Sequence, residues 1–240
     1  MKRIAVVVVL LVCLNLFCSN ANAEIDYMVL VTRSKPLPSN WEEIIDLVPA
    51  INVYGEEILV EKLTLARFYE LREELLRDGI DIELVSGFKS YSEAIESNEA
   101  LINKTNLFKD IYQKNSPQSF YSLLHNMIAS NYSGEQYELF ESNFNIPGCS
   151  EHYLGLAVDF CLIKDGEPIT DRKLIIQETE ILQVIREKLC KYGFIMRYPD
   201  GKKDITGYDF EPWHIRFIND SNIAKQITQE NITLEEYLAN

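Results

Sequence analysis

The chain has 240 residues, of which 47% are hydrophobic and 25% are charged, and it contains 10 glycines and 8 prolines. This is the composition of a folded globular protein, and it excludes the collagen-like, low-complexity and wholly disordered classes. The 37 acidic and 23 basic residues give a net charge of −14, so most of the surface would repel a polyanion and no nucleic-acid partner is expected.

The N-terminus has the pattern of an export signal. Lys2 and Arg3 give a positive start, residues 4–17 are almost wholly apolar, and Ala21–Ala23 offers the small residues at which signal peptidase cuts. We predict a signal peptide at 1–23 and therefore an exported protein. The alternative is an anchor that stays in the membrane, but the apolar run is shorter than the ~20 residues that a spanning helix needs.

The remaining residues, 24–240, are predicted to form one domain. Strands are expected at 27–32, 82–85, 155–163, 194–198 and 213–218, a helix at 64–78, a long helix at 172–191 and two short helices at the C-terminus. Residues 91–145 are polar and mostly helical in pattern, and we interpret them as a helical insertion or lid. Strands mixed with helices without a regular βαβ rhythm favour an α+β fold.

Three cysteines follow the predicted signal peptide: Cys149, Cys161 and Cys190. An odd number at irregular spacing is not a disulfide framework, and no CxxC pair predicts a thiolate zinc site. A disulfide between Cys149 and Cys161 and buried free thiols are both consistent with the sequence.

Two of the three histidines stand in unusual contexts, whereas His125 lies in a helical pattern typical of a helix-face or core residue. His152 lies at a loop edge, and Asp159 follows in an apolar strand, where a carboxylate is costly to bury unless it is paired or binds a metal. His214 offers a third ligand, and imidazole with carboxylate suits Zn²⁺. Glu211 is close enough in sequence to His214 to act on a water molecule at the metal. A hydrogen bond between His152 and Asp159, with His214 in the core, explains the same residues equally well.

Four motifs follow one another along the chain: Ser86–Ser90 (SGFKS), Ser150–Asp159 (SEHYLGLAVD), Tyr192–Pro199 (YGFIMRYP) and Glu211–His214 (EPWH). Together they resemble the motifs of the VanY-type D-alanyl-D-alanine carboxypeptidases, which are zinc peptidases of bacterial cell walls. The resemblance implies a single compact α+β domain, in which a small, mainly antiparallel sheet carries the zinc site and helices pack against it.

The resemblance also implies roles for individual residues. One zinc ion would be bound by His152, Asp159 and His214, and Glu211 would be the catalytic base. Lys89 stands where the family usually has arginine, a position that contacts the substrate carbonyl or the developing oxyanion. Lysine keeps the positive charge but lacks the planar fork of a guanidinium group.

Substrate contacts are implied for four residues of the same motifs, namely Ser150, Lys89, Arg197 and Tyr198. Ser150 can also be interpreted as a turn hydroxyl, and Tyr198 as a core residue of a strand. These alternatives concern the substrate cleft and leave the predicted metal site unchanged.

We therefore expect an exported, monomeric zinc carboxypeptidase that removes the terminal D-alanine from peptidoglycan stem peptides. Two alternatives remain. One is an L,D-carboxypeptidase that acts on tetrapeptide stems, and the other is a peptidoglycan-binding domain that retains the metal but has weak catalysis. Membrane association is expected only if residues 4–17 are retained.

Overall fold

The computed structural model describes residues 25–32, 35, 37, 41–94, 96 and 148–239. The predicted signal peptide at 1–23, His125 and most of the segment 91–145 lie outside the described residues. Within the part that is described, no helix combines the length and the apolar character that crossing a membrane requires.

An antiparallel hairpin, β1 (Leu47–Ile51) and β2 (Glu57–Glu61), begins the regular structure, and the sequence pattern does not predict it. Helix α1 (Lys62–Arg77) follows immediately. The carboxylate of Glu61 accepts hydrogen bonds from two backbone N–H groups of the first turn, which have no partner within the helix itself. The predicted helix at 64–78 is thereby confirmed.

Five strands form an antiparallel sheet in the order β3-β4-β7-β6, with β5 paired to the end of β4. They are β3 (Asp81–Ser86), β4 (Ala157–Lys164), β5 (Glu167–Ile169), β6 (Phe194–Met196) and β7 (His214–Phe217). Asp165 and Gly166 connect β4 to β5 and both have positive φ angles, as the central residues of a type I′ turn require. The strands predicted at 82–85, 155–163, 194–198 and 213–218 are confirmed within a few residues.

Helices cover both faces of this sheet. Besides α1, they include α2 (Arg172–Gln177), α3 (Thr179–Leu189), α4 (Lys203–Thr206), α5 (Ser221–Glu230) and α6 (Leu234–Leu238). Phe194 packs in the main core with residues of α1 and α3. Its neighbour Ile195 packs with α5 on the other face, because successive residues of a strand point in opposite directions. The structure therefore confirms the α+β fold class.

The long helix predicted at 172–191 is divided in the structure. Glu178 separates α2 from α3 with φ −79° and ψ 51°, which is not a helical conformation. The last turn, Cys190–Tyr192, is a 3₁₀ helix that ends at Gly193 with φ 75°. The apolar periodicity continues across both interruptions, so periodicity alone predicts one helix where the backbone forms three short ones.

The strand predicted at 27–32 is wrong. Residues 25–32 form a turn and an irregular segment, with one isolated bridge between Thr32 and Lys35. The carbonyl groups of Tyr27 and Val29 accept hydrogen bonds from the guanidinium group of Arg216. A side chain from the sheet therefore takes the place that a neighbouring strand would occupy.

The three cysteines of the described chain do not form disulfides. Cys149 and Cys161 are buried and Cys190 is partly buried, and none of the three is in a disulfide. Burial raises the pKa of the Cys161 thiol to about 11. For Cys149 and Cys161 the structure therefore supports buried thiols, and not the disulfide between them.

Candidate metal centre and active site

The candidate site is built on the sheet face opposite the main core. In β4, Val158, Phe160 and Leu162 belong to that core, so the alternation of side chains turns Asp159 to the other face. Asp159 is the antiparallel partner of His214 in β7, and partners of this kind have adjacent side chains on one face. Nδ1 of His214 consequently lies 2.8 Å from Oδ1 of Asp159.

His152 reaches the same point from a short 3₁₀ helix, Glu151–Leu154, which precedes β4. Gly155 ends this helix with φ 70°, a conformation that favours glycine. Nε2 of His152 lies 3.4 Å from Oδ2 of Asp159. One ligand atom from each of His152, Asp159 and His214 lies within 4.8 Å of the other two. The structure thus brings together the three side chains that were predicted to bind a metal.

Hydrogen bonds around these side chains leave suitable atoms available for a cation. Nδ1 of His152 donates to the carbonyl oxygen of Gly87 at 2.7 Å, which leaves the lone pair on Nε2. Oγ of Ser86 donates to Oδ2 of Asp159 at 2.9 Å. Contacts of this kind orient the ligands in metal sites. Two imidazole nitrogens and a carboxylate oxygen therefore fit a divalent ion such as Zn²⁺.

His214 is buried and lies close to two carboxylates. Burial alone would lower the pKa of His214, but Asp159 and Glu151 outweigh this effect and raise the pKa to about 9. The ring also stacks on Tyr198, with 4.9 Å between centroids. A cation bound at Nδ1 of His214 would replace a proton, because a ligand nitrogen must offer its lone pair.

Glu211 lies in the loop before β7, and backbone hydrogen bonds connect it to neighbours of the site. Its N–H donates to the carbonyl of Tyr198, and its own carbonyl accepts from the N–H of His214, both at 3.1 Å. Burial raises the pKa of the Glu211 carboxyl, with the charge of His214 opposing the shift and that of Asp159 adding to it. A carboxyl group with a raised pKa beside candidate ligands is typical of a general base.

A cleft of about 400 Å³ opens next to the 3₁₀ helix that carries His152. Its walls include Asn52, Glu56, Phe88, Lys89, Glu93 and Tyr153. The backbone N–H of Lys89 donates to the carbonyl of His152 at 3.1 Å, so Lys89 is held at the cleft wall beside a candidate ligand. Oγ of Ser150 accepts a long hydrogen bond of 3.4 Å from the N–H of His152, which gives this hydroxyl a capping position.

Arg197 and Tyr198 do not occupy the cleft positions expected of substrate contacts. Arg197 is 1% exposed, and its guanidinium group donates to Glu151 at 2.7 Å and to Glu235 at 2.7 and 2.9 Å. Tyr198 is buried and stacks on both His214 and Tyr208. Among the described residues, Arg197 is therefore a buried ion-pair residue, and Tyr198 packs against a candidate ligand.

Two functional candidates, Glu151 and Arg216, are not identified by the sequence. Both are completely buried, and Arg216 donates to Oε1 of Glu151 at 2.9 Å. Burial would raise the pKa of Glu151, but Arg197 and Arg216 outweigh this effect and hold the pKa well below the usual carboxyl range. The signal in the sequence that could have revealed Glu151 is its place inside the motif, directly before the candidate ligand His152.

Comparison with known proteins defines the family of this chain. A family model described as VanY: D-alanyl-D-alanine carboxypeptidase matches residues 57–220. The match covers more than half of the chain, and the chain belongs to this family.

Individual relatives agree with this assignment. A D-alanyl-D-alanine carboxypeptidase of Enterococcus faecalis is 28% identical over 212 residues, which are 88% of this chain and 65% of the relative. The structure of the LdcB LD-carboxypeptidase has a TM-score of 0.65 at 27% identity, covering 89% of this chain and 86% of that one. A vancomycin-resistance D,D-pentapeptidase VanY variant in complex with Zn(II) has a TM-score of 0.57 at 25% identity, covering 90% and 99%. The chain spans two thirds or less of the curated relatives it matches.

Proposed function

We propose that this chain is an exported, zinc-dependent D,D-carboxypeptidase that hydrolyses the terminal D-alanine from peptidoglycan stem peptides. The observation that carries the proposal is the convergence of His152, Asp159 and His214 within 4.8 Å in a member of the VanY family. The Zn(II) complex of a VanY structure supports the choice of metal. Among the described residues there is a single set of three candidate ligands, and we therefore propose one zinc ion per chain.

The residues around the metal site would divide the catalytic work. Bound zinc would lower the pKa of a water molecule and polarise the scissile carbonyl. Glu211 would take a proton from this water and pass it to the amino group of the leaving D-alanine. The ammonium group of Lys89 would stabilise the negative charge that develops on the carbonyl oxygen.

Of the four predicted substrate contacts, two are kept in this proposal and two are given an indirect role. Ser150 and Lys89 are kept as substrate contacts, since Ser150 is half-buried and Lys89 lines the cleft. Arg197 and Tyr198 would act on the substrate indirectly, through Glu151 and His214. All three candidate ligands and Glu211 lie within one chain, so the monomer that we propose would contain the complete catalytic set.

The proposed substrate also determines where the protein would act. Peptidoglycan stem peptides lie outside the cytoplasmic membrane, so the enzyme would be exported. The pattern at residues 1–23 supports this proposal, with retention at the membrane as the alternative fate of the apolar segment 4–17.

An L,D-carboxypeptidase that acts on tetrapeptide stems is the second candidate. The similarity to the LdcB LD-carboxypeptidase, with a TM-score of 0.65, favours it specifically. The two activities use the same metal and the same base. They differ in the configuration of the residue before the scissile bond, which the substrate cleft must recognise.

The deciding experiment offers purified protein and Zn²⁺ a stem pentapeptide and the corresponding tetrapeptide in separate reactions. Both activities release D-alanine, so the shortened peptide must be identified by mass. Conversion of pentapeptide to tetrapeptide supports the first candidate, and conversion of tetrapeptide to tripeptide supports the second. A chelator should abolish turnover and added zinc should restore it. Zinc-loaded protein that cuts neither peptide would contradict both candidates.

A further inference from the structure

We infer that Glu151 is a positioning residue for the metal ligand His214, whose imidazole it holds with the proton on Nε2 and the lone pair of Nδ1 directed to the metal. This inference rests on the proposed metal site and deepens it. Nothing in the four sequence motifs assigns a role to Glu151, although it stands directly before His152.

A buried oxygen of Glu151 and a buried nitrogen of His214 face each other. Oε2 of Glu151 lies 3.9 Å from Nε2 of His214, and neither atom has a hydrogen-bond partner among the described residues. Glu151 is 0% exposed and His214 is 3% exposed, so solvent does not replace the missing partner. Buried polar atoms without partners are rare, and a small shift would bring these two within hydrogen-bond distance.

The other oxygen of Glu151 is already engaged. Oε1 accepts from Nε of Arg197 at 2.7 Å and from a terminal nitrogen of Arg216 at 2.9 Å. Guanidinium groups donate hydrogen bonds and cannot accept them, so the carboxylate is held with Oε1 toward the arginines and Oε2 toward His214. An ionised carboxylate offers His214 an acceptor, and Nε2 must therefore be the protonated nitrogen of the ligand.

The two arginines anchor this carboxylate to distant parts of the chain. Arg197 also pairs with Glu235 of α6 through two hydrogen bonds. Arg216 also donates to the carbonyls of Tyr27 and Val29. Buried ion pairs are weak evidence for stability, because the cost of desolvation offsets their attraction. An apolar residue in place of Glu151 could not fix the protonation and the direction of the His214 ring. We therefore infer that this orientation, and not stability, is the role of the carboxylate.

Glu151→Gln is the sharpest test, because the arginines control the direction of the new amide. Its carbonyl oxygen must face the two guanidinium groups, which leaves the NH₂ group facing Nε2 of His214. A donor at that place favours the tautomer with the proton on Nδ1, which removes the lone pair needed by the metal. The matched control is Glu235→Gln, which removes a carboxylate from the same Arg197 without approaching His214.

Zinc dissociation constants, measured by competition with a chromogenic chelator, are the main readout. We expect Glu151→Gln to weaken zinc binding by about 10- to 100-fold, and Glu235→Gln to remain close to the wild type. Circular dichroism establishes that each variant is folded. In zinc-loaded wild-type protein, long-range ¹H–¹⁵N spectra should place the His214 proton on Nε2.

Wild-type zinc affinity in folded Glu151→Gln would overturn the inference, and so would an equal loss in Glu235→Gln. If Glu151→Gln does not fold, Glu151→Asp decides, because it keeps the charge for the arginines but withdraws the carboxylate from His214. Glu151→Asp should then bind zinc more weakly than the wild type, and equal binding would overturn the inference. If the wild type itself does not bind zinc, the proposed metal site is overturned. If zinc binds but its affinity does not change when Glu151 is substituted, only this inference is overturned.

Discussion

Asp159 and His214 are direct partners in the antiparallel pairing of β4 with β7, and Ser86 of β3 is the partner of Asp159 on its other side. The three residues form a row across three strands, linked by hydrogen-bond distances of 2.9 Å and 2.8 Å. A slip of one residue in either register would turn a side chain of this row to the opposite face of the sheet. The pairing of the strands therefore defines the candidate metal site as much as the ligand residues do.

The first prediction concerns metal retention. Purified protein should carry close to one zinc ion per chain, and His152→Ala or His214→Ala should largely abolish this, because each removes one of three proposed ligands. Elemental analysis after gel filtration measures the zinc content. His125→Ala is the control and should keep its zinc. Zinc content like that of the wild type in both ligand variants would rule out the assigned site.

The second prediction separates the base from the ligands. Glu211→Gln keeps the shape of the side chain but cannot accept a proton, so turnover should fall by ~10²-fold or more. Zinc content should stay at the wild-type level, because Glu211 is not a proposed ligand. Steady-state kinetics together with elemental analysis test both statements. Full activity in this variant would show that another group is the base.

The third prediction concerns Lys89 at the cleft wall. If Lys89 stabilises charge in the transition state, Lys89→Ala should lower kcat by a larger factor than it raises KM. Lys89→Arg should keep a substantial part of the activity, because the charge remains. Lys62→Ala, at an exposed lysine, is the control for loss of a positive charge. An effect confined to KM would instead indicate binding of the substrate carboxylate, and no effect would exclude any role in catalysis.

The fourth prediction concerns the close approach of backbone at Gly87. A Cβ atom there would lie 2.4 Å from the carbonyl oxygen of Leu59 and 2.8 Å from a methyl group of Val60. Gly87→Ala should therefore lower the free energy of unfolding by about 1–3 kcal/mol. It should also weaken zinc binding, because the Gly87 carbonyl orients His152.

Gly166→Ala is the control for this variant. It has open space around a new Cβ but a φ of +82°, so it should lower stability through backbone strain without changing zinc affinity. Denaturant titration and chelator competition measure the two effects. Gly87→Ala with unchanged stability would contradict the packing seen around this glycine.

The fifth prediction concerns the pH dependence of stability. Hydrogen bonds from Lys191, Tyr192 and Lys188 lower the pKa of Glu74 from 4.5 to about 2. A carboxyl group whose pKa is lower in the folded state stabilises the fold above its unfolded pKa and loses this contribution as the pH falls. The wild type should therefore exceed Glu74→Gln in free energy of unfolding by a constant amount above about pH 5.

This difference should shrink as the pH is lowered from 4.5 toward 2, and urea titrations across that range measure it. The control is Glu73→Gln, since Glu73 is 73% exposed and its nitrogen partner on Arg77 is 3.9 Å away. Glu73→Gln should differ little from the wild type at any pH, because exposed pairs of this kind contribute little. A pH-independent difference for Glu74→Gln would contradict the lowered pKa.

The local elements of the fold follow closely from the sequence where one face of a segment is apolar. Helix α1 is predictable because its buried side chains, such as Phe68 and Leu75, recur at helical spacing. The β1–β2 hairpin is not, because it depends on distant contacts. Glu61 donates its N–H to Gly155, and Val53 donates to Leu84, and neither contact leaves a pattern in the local sequence.

The sequence by itself determined which residues to expect at the candidate site, because His152, Asp159, His214 and Glu211 stand in short motifs that resemble those of one family. Only the tertiary structure decided what the neighbouring charged residues do. Arg197 could face a cleft or a buried counter-charge, and the choice depends on Glu235, which is 38 residues further along the chain. Whether a charged side chain is exposed or paired is set by partners that folding brings together, and a linear sequence does not record which partners those are.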